Sequence, residues 1–167
     1  MNINDDHIKE WSLALCDQLS SVFQLNIHFK KMNASEQIYR NFILDQRNQM
    51  LGIMSEYLDT HQSFLVATPL TTIVGATTCF FSKDIQGAQT NITSLSYIES
   101  FFAKQFINTV QTAFDAKNIP VKFLKSEIDT TLIHPFHDED LVKTYQFDWE
   151  INDQKYGELF LCHSQNF

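Results

Sequence analysis

The apolar positions of the chain fall into stretches of helical and of strand period. From Asp5 to Phe23, the residues Ile8, Trp11, Leu15, Leu19, Val22 and Phe23 recur at three- and four-residue steps. That spacing predicts an amphipathic helix with Asp5 or Asp6 as its N-cap. In LNIHFKKM, Leu25, Ile27 and Phe29 alternate with Asn26, His28 and Lys30, the period of a half-buried strand. Residues 34 to 47 fit a short helix or irregular chain. Gln49 to Tyr57 reads as a strand, although NQMLGIMSEYL also fits a helix.

FLVATPLTTIVGATTCFFSKD, from Phe64 to Asp84, is apolar for longer than one strand of about four to eight residues allows. Pro69 cannot donate to a central ladder but is tolerated in the first turn of a helix. The reading is therefore a strand that stops at Pro69 and a helix packed through Ile73, Val74, Thr77 and Phe80, with Gly75 as a modest cost. After the polar loop DIQGAQTNIT, the segment from Ser94 to Phe114 places Leu95, Ile98, Phe102, Phe106, Val110 and Phe114 on one helix face. Pro120 ends that region, and Val121 to Ile128 reads as a strand. Leu141 to Ile151 alternates, Asn152 to Lys155 is a turn, and YGELFLCH completes a β-hairpin. The order of elements predicts an α+β sheet with helices on one side.

Composition agrees with one ordered unit. The 167 residues are 44% apolar and 19% charged, with 15 Phe, enough to bury a core without disulfides or metals, and no stretch looks like a linker or a repeat. The formal charge of −8 disfavours nucleic acid and anionic membranes as partners. The N-terminus has no targeting pattern and no stretch reaches membrane-spanning length, so a cytoplasmic location is expected. Cys16, Cys79 and Cys162 are odd in number and widely spaced, which predicts three reduced, mostly buried thiols. The sequons at Asn33 and Asn91 are then chance matches.

FLVATPLTTIVGATTCFFSKD resembles the part of flagellar motor switch proteins of the FliM type in which a strand passes through a proline into a helix ending at paired aromatics. TNITSLSYIESFFAKQFINTVQTAF resembles the long helix that follows, with Tyr97, Ile98 and Glu99 at its opening. LKSEIDTTLIHPFHDEDLVKTYQFDWEINDQKYGELFLC is similar to the closing part, with a Glu after a strand, a Pro-containing loop, and a Gly entering the last strand. The likeness spans residues 12 to 163. It implies a CheC-like fold shared with the CheC and CheX phosphatases: a pseudo-symmetric, mostly antiparallel β-sheet with two long helices on one face, forming one domain over residues 1–167. The helices beginning near Asp6 and Ser94 would be the equivalent pair.

Departures from these families narrow the function that the resemblance implies. The switch protein has a regulator-binding N-terminal peptide and a C-terminal ring-forming domain, whereas this chain is expected to begin at the first helix and end with the middle domain. The switch protein's loop after the paired aromatic carries a double glycine. Here Phe80-Phe81 leads into Ser82-Lys83-Asp84, with fewer glycine conformations available. The phosphatases use a helix-borne Glu and an Asn one turn later to orient water at an acyl phosphate. Asp6 and Glu10 fall at the family spacing, but Leu13 stands at the Asn position, and Glu99 is followed by Phe102. Neither Leu nor Phe can hold a water through an amide.

The implied function is a non-enzymatic protein-interaction domain in chemotaxis or motor switching. The expected partner-binding residues are Ser82, Lys83, Asp84, Ile85, Gln86 and Gly87 in the loop reaching Gln89, together with Glu99. The alternative is a phosphatase acting on a response regulator through Glu10 or Glu99; a small-molecule sensor on the same fold is a third class. The expected partners are other motor or chemotaxis proteins, with a response regulator among the candidates. No cofactor, metal, nucleic acid or membrane insertion is expected, and a homodimer through sheet edges or the long helices fits the layout. HPFHDED, with His134 and His137, reads as a polar acidic loop rather than a metal site. Cys162-His163 reads as a buried thiol beside an exposed imidazole. SEIDTTLI is similar to the regulator-binding peptide but leaves a core strand, so it is read as coincidence.

Overall fold

The computed structural model describes residues 3–46, 49–82 and 92–165. Helix α1 (Asp5–Phe23) leads into strand β1 (Ile27–Ile38), the short helix α2 (Tyr39–Asp45), strands β2 (Met50–Tyr57) and β3 (Ser63–Pro69), and helix α3 (Leu70–Ser82). Helix α4 (Tyr97–Ala116) opens the second half. Strand β4 (Val121–Glu127), a 3-10 turn at Thr130–Leu132, and strands β5 (Leu141–Ile151) and β6 (Gln154–Ser164) follow. All six strands pair antiparallel in the order β1-β5-β6-β3-β2-β4. Exchanging β1 with β4, β2 with β5 and β3 with β6 returns the same order reversed. The sheet therefore has an internal two-fold between β3 and β6, with α1 and α4 as the matching helices.

Both long helices begin with a reciprocal cap. In α1 the cap is Asn4, not Asp5 or Asp6: its side chain accepts from the His7 N–H at 3.0 Å, and the His7 ring accepts from the Asn4 N–H at 3.3 Å. Asp5 and Asp6 instead occupy the first turn, where a negative charge complements the helix dipole. In α4, Ser96 and Glu99 form the equivalent box.

Strand β3 becomes α3 at Pro69, as the run of apolar residues predicts, and Leu70 N–H donates to the Gln49 carbonyl at 2.9 Å. Gly75 has a packing reason. A Cβ there would lie 2.8 Å from the Tyr156 ring, and a Cβ on Gly157 would lie 1.9 Å from Thr72 Oγ1. The two glycines let α3 lie directly on the start of β6. Asn152 and Asp153, at φ 49° and 65°, make the hairpin turn with two left-handed residues, matching the strand twist.

Strand β1 runs further than its alternation predicts. A bulge between Lys30 and Asn33, with Lys31 at φ 54°, shifts the register, and Asn33 to Ile38 continue pairing with β5. On this sheet edge Asn33 to Glu36 are exposed, so no apolar period marks them.

Helices α1, α3 and α4 cover one face of the sheet over a core that includes Trp11, Leu15, Phe64, Phe106, Phe114, Tyr145, Phe147 and Trp149. The two long helices thus lie on one face, as expected, and the opposite face is covered as well. There α2 and the segment after the 3-10 turn bury Tyr39, Phe42, Ile133 and Phe136 against Leu65, Val142, Phe160 and Cys162. The short α2 lies within residues 34 to 47, where the sequence fitted a short helix or irregular chain because the apolar residues span barely two turns. Cys16, Cys79 and Cys162 are all free and buried.

Candidate functional site

Helices α1 and α4 lie antiparallel, since Trp11 stacks on Phe114 and Phe23 packs on Phe102. The C-terminal end of α1, the C-terminal end of α3 and the first turns of α4 therefore meet at one corner. They enclose a groove of about 410 Å³ lined by Val22, Phe23, Phe80, Phe81, Tyr97, Ile98, Phe101, Phe102 and Gln105. Phe102 forms the floor, 5% exposed, with ring centroids of Phe23 at 5.0 Å and Phe80 at 5.1 Å. The rim is open: Phe101 is 57%, Phe81 63% and Tyr97 92% exposed. With about 150–250 Å² on a whole aromatic side chain, the rings of Phe80, Phe81, Tyr97 and Phe101 leave on the order of 500 Å² uncovered. That is near the upper end of the largest patch on an ordinary monomer, about 300–600 Å², and patches of that size are often functional.

Of the expected partner-binding residues, Ser82 follows the lining residue Phe81 at the end of α3 and Glu99 follows the lining residue Ile98 in the first turn of α4, and neither lines the groove itself. Lys83, Asp84, Ile85, Gln86 and Gly87 lie outside the described residues. The sequence reading put Ile98 and Phe80 on buried faces, but they are 48% and 39% exposed and form part of the groove's lining. Val22, Phe81, Tyr97 and Phe101 were missed as site residues. The available signal was the doublets Phe80-Phe81 and Phe101-Phe102, because neighbouring residues on a helix cannot both lie in one narrow stripe.

Glu10 and Glu99 are not brought together. The antiparallel packing sets Glu10 beside the Trp11–Phe114 end and Glu99 at the Phe102 end. Glu99 is occupied by its cap: the Ser96 N–H donates to its carboxylate at 2.6 Å. Glu10 lies on the exposed face of α1, one turn before Leu13, which is 55% exposed. The position that the phosphatase chemistry needs for an amide is thus accessible but apolar, while the corresponding position in α4 is the buried floor residue Phe102.

The other candidates resolve into structural roles. Cys162 and His163 do point to opposite faces, but His163 is buried rather than exposed. Its ring stacks on Tyr145 at 5.7 Å, and burial lowers its pKa. Burial pushes the Cys162 thiol up to about 12 and the Cys16 thiol up to about 11, which leaves them protonated and weakly nucleophilic. Beside His163, Asp5 accepts from Lys143 Nζ at 2.6 Å and from the Tyr145 hydroxyl at 2.7 Å. Those bonds hold its carboxyl below the usual range and tie the first turn of α1 to β5.

In HPFHDED, Asp140 accepts from the His137 N–H at 2.9 Å and Phe136 is buried in the second core. Among the described residues no group of three His, Cys, Asp or Glu side chains is placed to hold a metal. SEIDTTLI is tethered: Asp129 caps the 3-10 turn, Lys125 Nζ donates to the Leu132 carbonyl at 2.8 Å, and Ile133 is buried. Among the described residues no helix is long and apolar enough to cross a membrane.

No protein-family model matches the chain, and no curated protein matches its sequence. Solved structures do match. The FliM middle domain from H. pylori superposes with a TM-score of 0.70 at 8% identity, over 97% of this chain and 94% of that one. The chain has the CheC-like fold. Thermotoga maritima FliY matches it with a TM-score of 0.65 at 13% identity, over 99% and 93% of the two chains. The chemotaxis protein CheX from Vibrio vulnificus gives 0.55 at 10%, over 98% and 99%. Within this fold the sheet carries α1 and α4 as expected, and the open aromatic corner sits where those helices meet α3.

Proposed function

We propose that residues 1–167 act as one non-enzymatic protein-interaction domain in bacterial flagellar switching or chemotaxis, in the cytoplasm. The observation that carries this reading is Leu13. An exposed leucine one turn after Glu10 gives a phosphatase site no amide to position water, and in α4 the same place is filled by the buried Phe102 while Glu99 is engaged by its cap. General acid–base or water-positioning chemistry needs a polar group within hydrogen-bond reach of the attacking water, and neither helix offers the pair.

A docking role draws support from the open aromatic corner and from FliM of H. pylori, which has been solved in complex with FliG. For this chain the partner is another motor or chemotaxis protein, engaged through Ser82, Glu99 and the segment Lys83 to Gly87. The test follows the lifetime of the acyl phosphate on a response regulator from the same organism, with and without the chain, alongside binding to motor proteins. Binding without faster decay is expected. Faster decay that Glu10→Ala or Glu99→Ala slows would overturn the reading and assign the phosphatase role to that residue.

A further inference from the structure

The described lining of the groove between α1, α3 and α4 is almost wholly apolar. Among the described residues its lining holds one polar side chain without charge, Gln105, and one phenol, on Tyr97. An extended peptide laid there would leave backbone N–H and C=O groups without partners, which is costly once they are removed from water. A helix arrives with its own backbone bonds already made. The free ladder edges, β1 and β4, belong to the sheet and are not part of the groove, so strand addition is not available at this site.

A small apolar ligand fits less well. Such ligands are enclosed by concave walls, whereas the rings of Tyr97, Phe81 and Phe101 stand out into solvent. Projecting rings suit a partner surface that closes around them, as aromatic anchors do at protein interfaces. Charge narrows the partner further. The chain carries a formal charge of −8, which repels a second copy at long range and attracts a basic partner. Helix α1 also ends at the groove with no basic residue in its last turn, and the negative end of its dipole favours a cation there.

We propose that this groove takes the apolar face of an amphipathic helix of a partner protein, with Lys or Arg flanking the apolar stripe. The inference rests on the reading of the chain as an interaction domain and adds the chemistry of the partner. Large apolar side chains spaced three and four residues apart would sit on Phe102 between the rims of Phe81 and Phe101, and the basic flanks would face the acidic chain.

The probe is a synthetic helical peptide with Leu and Phe along one face and Lys on the other, titrated calorimetrically into the full chain. One control has the same composition with the apolar order scrambled, and a second replaces Lys by Glu. The ordered basic peptide should bind in the micromolar range, at least ten-fold tighter than either control and more weakly as salt is raised. Phe81→Asp and Phe101→Asp should each weaken binding ten-fold or more while the urea midpoint of folding stays near that of the parent. Equal affinity for the scrambled peptide, or unchanged affinity in both variants, would overturn the proposal. So would a homodimer in sedimentation that Phe101→Asp dissociates, because the occupant would then be a second copy. If a motor protein still binds when the peptide does not, the groove assignment fails and the interaction-domain reading stands. If no motor protein binds and the regulator loses phosphate faster, that reading fails as well.

Discussion

The α1–α4 pair carries aromatic contacts at both ends and finishes them in opposite ways. At one end Trp11 stacks on Phe114 at 4.8 Å, Phe64 meets Phe114 at 5.2 Å and Tyr57 stacks on Phe64 at 4.3 Å, all buried. At the other end Phe23 packs on Phe102 at 5.0 Å, but the rings beyond them, Phe80, Phe81, Tyr97 and Phe101, stand in solvent. The sheet backs the first end, with Tyr57 on β2 and Phe64 on β3 closing over the stack, whereas the end of α3 packs on the second through Phe80 and Phe81. Sealed rings hold the fold together. Open ones leave a large apolar surface uncovered, and patches of that size are often functional.

The largest effect expected from this contrast is on stability. Phe114→Ala should lower the free energy of unfolding by about 3–5 kcal/mol, whereas Phe101→Ala should stay within about 0.5 kcal/mol of the parent, both read from urea denaturation. Similar losses in the two variants would erase the distinction between the ends. Next comes Gly157→Ala, where the new Cβ would meet Thr72 Oγ1 at 1.9 Å and should cost about 1–3 kcal/mol through overpacking. Thr72 Oγ1 makes no hydrogen bond, so Thr72→Ala in the same chain should restore part of that loss. A strictly additive double-mutant cycle would deny the close approach of α3 to β6.

Ser96→Ala removes the α4 cap and should cost about 1 kcal/mol. Because Tyr97 and Phe101 lie in the turns that this cap fixes, peptide affinity should also fall, which separates Ser96→Ala from Gly157→Ala, where affinity should hold.

The smallest effect concerns pH. Burial lowers the His163 pKa below the ordinary histidine value, so below about pH 6.5 the unfolded chain binds a proton that the folded chain resists. Stability should therefore decline as pH falls below that value. In His163→Gln the decline between pH 7 and 5.5 should be shallower; an identical slope would place the titrating group elsewhere.

How much of this was legible in the sequence depended on whether a residue's surroundings are local. The β3–α3 junction was legible because Pro69 fixes its own dihedral and lacks a donor. The long helices were legible through their period, and the hairpin through Asn152 and Asp153. The end of β1 was not, because an exposed edge strand with a bulge carries no apolar alternation. His163 was assigned to the exposed face because strand alternation gives the side of a sheet but not what covers that side, and here Tyr145 stacks over the ring. Ser82 and Glu99 were singled out from the sequence, yet the aromatic surface near them in the chain was missed. Its aromatic residues come from three helices, and a period calculated on one helix treats Tyr97 or Phe101 as a solvent-side residue without showing that Phe81 lies across from it.

The most direct test of the division between the two ends measures the urea midpoint and the affinity for the basic amphipathic peptide on the same preparations of the parent chain and Phe101→Asp. The account predicts an unmoved midpoint with affinity reduced ten-fold or more. A midpoint displaced as far as that of Phe114→Ala, or an affinity that does not change, would contradict it.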